Sequence, residues 1–537
     1  MTYGILTKLR MVSLSGYEAK VDPGERQGTR PSVATPTRNL WDRPANATDH
    51  SLPLVVSGAL NQEPRRIQTL NGPILHGLTV SQASSKNLTQ PLQLRHAYGF
   101  AMFNALSFQV ILGGPMVLYA KSLHANATIL GVVAGMMPLL TITQIPAAAY
   151  LDRIGYKRFV VSGWTARIVF AFLMALTPLS GAWIGHDAQL ILLLSLLFGF
   201  NLCRGIASSA WLPWITGLVP LELRGRYLAG DQAASNGASL LCFLIVATLL
   251  GAGGFLPSPA QPWQFMIAFT FSGIMGVASL SFLRQMPDTP VPPHERSGTA
   301  RVPWAAIAAH PPFRKLLELN AVWSLAYGGL TTFVVAFLKS GTDLPDGSIL
   351  VLMAVQFLGG LGAYWFGGRR LDLHGSKPAL GFIMLAGVLV AGGWFLMAAG
   401  VWMPRIPLVL TFIVPLGLLN ALHSAANNRL AMAIVPRLGR NHFFALFMVV
   451  WQVTLGLSPV LWGLLIDTVG GFRSLALGLE WNRYSLFFGL VMVSFLVAFR
   501  ASLRLEEPQA AGVETLLRDL FIQEPRRLFT RALGRND

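Results

Sequence analysis

The chain has 537 residues, 53% of them hydrophobic and only 12% charged, about half the charged share of a soluble domain. Two cysteines, both in apolar stretches, exclude a disulfide framework and argue against a cysteine-based metal site. The net charge of +17 is distributed between apolar stretches, which points to membrane orientation rather than to nucleic acid.

Residues 1–94 are rich in Pro, Arg, Ser, Thr, Asn and Gln and lack helical periodicity, so they read as a polar, disordered cytoplasmic tail. Twelve apolar stretches follow, near 97–120, 127–151, 159–179, 188–217, 228–252, 262–283, 319–339, 346–368, 379–402, 406–434, 442–467 and 484–503. Each can supply the roughly 20 residues that cross about 30 Å of hydrocarbon. The predicted fold is therefore all-α and polytopic. A first six-helix bundle occupies residues 95–284, a cytoplasmic connecting loop 285–318, a second bundle 319–504, and a tail with an amphipathic helix 505–537. Alternate loops carry fifteen Lys and Arg on one side and five on the other. That bias places the richer side, with both termini, in the cytoplasm of an inner membrane.

One charged loop occurs twice. Asp152-Arg153-Ile-Gly155-Tyr-Lys157-Arg158 follows the second span, and Asp372-Leu-His-Gly375-Ser-Lys377 follows the eighth, 220 positions later with matching offsets. Lys121 and Lys339, and Asn201 and Asn420, repeat at nearly the same distance. A steady offset of this kind marks duplication of a membrane unit. Gly155 allows a tight turn, Asp152 can accept backbone N–H bonds at a helix start, and Lys157 and Arg158 hold the loop at the cytoplasmic face.

These two loops, with Val219-Pro-Leu-Glu-Leu-Arg224-Gly-Arg226 between spans four and five, resemble the loop signatures of the major facilitator superfamily over roughly residues 95–505. The resemblance implies two six-helix bundles around a central cavity that opens alternately to each side. It also implies a switching role for Asp152, Arg153, Gly155, Lys157, Arg158, Asp372, Gly375, Lys377, Arg224 and Arg226.

Substrate chemistry has to come from polar groups within the spans. Arg204 in span four and His423 in span ten occupy equivalent places, each three residues after an Asn. A charge at bilayer depth costs at least about 2.5–3.5 kcal/mol, so Arg204 is expected to face a wet cavity or a partner. Ser208 shares its helical face, and Asn427 shares that of His423. The resemblance places spans one, four, seven and ten around the cavity, which adds Gln109 and its counterpart Tyr327. Arg167 and Arg429 are expected to be structural, reaching back to the cytoplasmic face. No carboxylate falls near the middle of a span, so proton coupling, if present, rests on His423. No nucleotide loop, metal cluster or nucleophile–histidine pattern is visible, so neither an enzyme nor a cofactor is expected.

The sequence therefore predicts a monomeric secondary or facilitative transporter of a small organic solute, with an anion favoured by Arg204. The partners are the lipid bilayer and the solute. Efflux of amphipathic compounds and a transporter-like sensor without turnover are the alternatives.

Overall fold

The computed structural model describes residues 92–148, 150–219, 224–254, 256, 259–289, 310–435 and 440–507. Residues 1–91 of the predicted tail 1–94, most of the connecting loop and the predicted amphipathic helix of the tail 505–537 lie outside them, whereas 92–94 already belong to the first helix. Among the described residues, twelve helices are long and apolar enough to cross a membrane. They are span one Arg95–Ser122, two Ala127–Ala148, three Tyr156–Ser180, four His186–Ser208, five Gly230–Leu249 and six Pro262–Gln285. The second set is span seven Pro311–Gly341, eight Asp346–Ala363, nine Ser376–Ala398, ten Ile406–Ile434, eleven Leu446–Val469 and twelve Arg483–Leu503. Span seven begins earlier than its apolar run, because Pro311 at the first helical position starts the helix through a polar turn. Spans one and seven are each broken, at Gly113 and at Gly328-Gly329, where one helix ends and a second begins. Breaks at membrane depth are tolerated where the backbone faces protein or a cavity.

The packing repeats with a shift of six. Span one packs on five and six, and seven on eleven and twelve; three packs on four and six, and nine on ten and twelve. The halves meet through two reciprocal pairs, span two against eleven and five against eight.

Glycine permits both pairs to close. A Cβ on Gly131 or Gly135 would collide with the carbonyl oxygen of Pro459 or Gly456, and one on Gly463 with that of Ala127. At the start of span two, Asp467 of span eleven accepts bonds from the backbone N–H of Ala127 and Thr128 at 2.9 and 2.7 Å and from Thr128 Oγ1 at 2.6 Å. In the other pair the Gly347 N–H donates to Leu250 O at 3.1 Å. Asp346 takes the Ala260 N–H at 3.2 Å and an ion pair from Lys339 at 2.5 Å. All these contacts lie at one end, where spans two and eight start and five and eleven finish.

Towards the other end spans two and eleven part. A cavity of about 270 Å³ separates Thr141–Ala148 of span two from Met448–Val453 of span eleven. A short antiparallel hairpin, β1 Arg473–Ala476 and β2 Leu479–Asn482, joins spans eleven and twelve at the sealed end.

Candidate functional site

Between the halves lie two cavities that share Gln356 and Phe357 of span eight. One, of about 270 Å³, is lined by Gln232 and Asn236 of span five, Tyr327 of span seven, Gln356, and Asn420 and Ser424 of span ten. The other, of about 190 Å³, lies nearer the seal, against Gln109, the Gly113-Gly114 break, Phe243 and Thr331. Among the described residues, no charged side chain lines either one. Gln109 Nε2 donates to Ser239 Oγ at 2.9 Å, which aims the amide between spans one and five. Gln356 Oε1 is buried and has no partner among the described residues, so an acceptor stands free within the cavity wall.

The residues expected to form the site are distributed differently. Gln109 and Tyr327 line the cavities. His423 does not reach them, because it is fully buried. Its ring stacks on Trp323 with centroids 3.9 Å apart, and Trp323 in turn stacks on Tyr327 at 5.1 Å. Tyr327 thus fronts a column of rings with His423 behind. Asn427 is also fully buried, exchanging bonds with Asn320 at 3.0 and 2.7 Å and tying span ten to seven. Ser208 accepts from Gln144 Nε2 at 2.8 Å, joining spans four and two.

Arg204 is half-buried on span four, close enough to Arg167 for their charges to repel. The expected reach of Arg167 to the cytoplasmic face is not found, for its side chain is 1% exposed. Its Nη2 donates to Asn104 Oδ1 at 2.6 Å, and its guanidinium lies 5.0 and 5.1 Å from the rings of Trp164 and Phe200. Among the described residues, Nε and Nη1 have no partner and neither arginine has a carboxylate partner. The reason is packing: Trp164 Nε1 donates to the same Asn104 oxygen at 3.2 Å, fixing the ring over which the cation lies.

The duplicated loops share one turn. Gly155 and Gly375 adopt φ of 83° and 89° immediately before spans three and nine. Arg153 and Arg158 are exposed, Lys157 and Lys377 half-buried. The side chains of Asp152, Asp372, Arg224 and Arg226 lie outside the described ones. At the start of span nine an anion comes from Glu507. It accepts from Ser376 N at 2.8 Å and Lys377 N at 2.7 Å, and lies 3.4 Å from Arg429 Nη1. Arg429 thus does reach its membrane face, as expected. Glu507→Gln should destabilise the protein by about 1.5–3 kcal/mol, the cost of losing charge-assisted bonds at a helix start. An unchanged thermal melting curve in detergent would show that the latch contributes nothing.

Sequence reasoning missed Gln356, Asn236 and Ser424, and placed Asn420 only as the counterpart of Asn201. The available signal was an amide recurring inside otherwise apolar spans five, eight and ten.

The family model described as Major Facilitator Superfamily matches residues 97–403. Among solved structures, a nucleoside transporter, NupG, superposes with a TM-score of 0.60 at 10% identity, covering 77% of this chain and 100% of its own. The inward-open xylose transporter XylE from E. coli superposes with a TM-score of 0.59 at 14% identity, covering 78% and 97%. A bacterial homologue of the iron transporter ferroportin, inward-facing, gives 0.56 at 14%, covering 76% and 97%. No curated protein matches the chain in sequence.

Proposed function

The chain belongs to the major facilitator superfamily, and on that premise we propose that it carries a small, uncharged, hydrogen-bonding solute across the membrane by alternating access. The observation that carries the substrate class is the cavity wall. Gln232, Asn236, Gln356, Asn420, Ser424 and Tyr327 converge from both halves without a charge among them. In a wall of low dielectric such groups favour a solute that returns their hydrogen bonds and reject an analogue that leaves them unpaired. The solutes named for two of the structural neighbours, nucleoside and xylose, are of this kind, though identities of 10% and 14% support the fold alone.

With the Lys- and Arg-rich loops taken as cytoplasmic, the sealed end faces outward and the cavity opens inward. Transport would then require the Asp467 cap and the glycine contacts to release while the opposite ends close. The broken spans one and seven border the cavity and can bend at their glycine pairs.

An anionic solute is the second reading, favoured by Arg167 and Arg204, which have no carboxylate partner among the described residues. Uptake into vesicles containing the purified protein separates the two. Gln356→Ala should weaken a neutral substrate by roughly tenfold, the worth of a buried hydrogen bond, and Arg204→Ala should leave it unchanged. The reverse pattern, with carboxylates transported from the same panel, would replace this reading by the anionic one. Absence of any uptake across sugars, nucleosides, carboxylates and amphipathic compounds would leave a sensor without turnover.

A further inference from the structure

The hairpin between spans eleven and twelve carries chemistry that solute transport does not use. Its two-residue turn, Leu477-Gly478, places both residues in the left-handed region, at φ 56° and 73°. Such a turn favours Asn or Asp before Gly, and a leucine there is strained. Leu477 is 94% exposed and Leu475 77%, so no contact among the described residues offsets that strain. The apolar interior edge of a bilayer leaflet would offset it.

At the base of the hairpin Arg473 pairs across the ladder with Asn482, beside Arg483. Both arginines line a cavity of about 540 Å³ beneath the hairpin, together with Glu480 and the exposed Trp402 and Met403. The Glu480 N–H donates to Ala399 O at 2.9 Å, fixing the second strand against the end of span nine. Its carboxyl group lies over Gly400, where an added Cβ would stand 3.1 Å from the carboxyl carbon. Among the described residues, neither arginine nor Glu480 has an ion-pair partner.

We propose that this cavity holds the headgroup of a phospholipid bearing both a phosphate and a primary ammonium. Arg473 and Arg483 take the phosphate, for which the guanidinium fork is suited. Glu480 takes the ammonium, and the acyl chains pass Leu475, Leu477 and Met403. Two cations and one carboxylate match that headgroup better than a simple anion. A quaternary ammonium has no N–H to give Glu480.

The test is native mass spectrometry of the full-length protein in detergent, titrated with phosphatidylethanolamine, phosphatidylcholine or phosphatidylglycerol, and with phosphoethanolamine as a competitor. Phosphatidylethanolamine should bind in preference to the other two. Arg473→Gln combined with Arg483→Gln should weaken it by about tenfold or more, and phosphoethanolamine without acyl chains should compete poorly. Glu480→Gln, on an exposed strand, should abolish the preference for phosphatidylethanolamine over phosphatidylglycerol. Equal binding by the folded double-glutamine protein would overturn the proposal. So would an unchanged preference in Glu480→Gln, equal binding of phosphatidylcholine, or full competition by the free headgroup. If the double variant melts early, the Glu480→Gln comparison decides alone.

Discussion

Gly131→Val should all but abolish transport while leaving the protein inserted and folded. A side chain at Gly131 meets the backbone of Pro459 and Val460 rather than a movable side-chain tip, so span eleven must retreat. Overpacking of this kind costs about 1–3 kcal/mol. Because the cost falls only on the state in which spans two and eleven are sealed, it moves the equilibrium between states by roughly 5- to 150-fold. Gly135→Val acts one turn further along, against the Gly456 carbonyl, and should do the same. The measurement is labelling of a cysteine placed at Met353, in the cavity wall, with Cys203 and Cys242 replaced. A membrane-impermeant thiol reagent applied from the sealed side should react slowly with the parent and quickly with the glycine variants. Gly237→Ala, whose added Cβ meets nothing within 4 Å, is the control. Equal labelling in parent and variants would show that these glycines do not form the seal.

Arg167→Met should raise thermal stability. The guanidinium is buried beside a second cation, with one amide oxygen and two aromatic faces as its compensation. Replacing buried charge by an apolar side chain of similar length is often neutral or stabilising by about 1–4 kcal/mol. Asn104→Leu should act in the opposite direction, since it strands both Arg167 and the Trp164 N–H. Melting curves in detergent provide the comparison, and a lower melting point for Arg167→Met would mean that the rings and Asn104 more than repay desolvation. Vesicle uptake by the same variant then separates roles. Turnover retained marks a structural cation, whereas turnover lost from a more stable protein favours the anionic reading.

Architecture was legible in the chain because the bilayer reduces the question to length and apolarity. Each span had to be about 20 apolar residues, and Gly155 and Gly375 at matching offsets revealed the duplication before their shared φ was known. Side chains at the breaks were legible in part: Gln109 and Tyr327, found as counterparts, do line the cavities.

The remainder required tertiary structure, for one physical reason. Sequence position gives depth in the membrane but not the direction a side chain points or what covers it. His423 lies at the depth of a binding residue yet is hidden behind Trp323, and Asn427 is taken up by Asn320. Arg167 lies deep because Asn104 and two rings hold it there, although its stem could have reached polar ground. Glu507 caps span nine from 131 residues away, a pairing with no local signal. The free oxygen of Gln356 and the exposed Leu477 likewise look ordinary as letters. They acquire meaning only once neighbouring helices and the hairpin show what each does and does not touch.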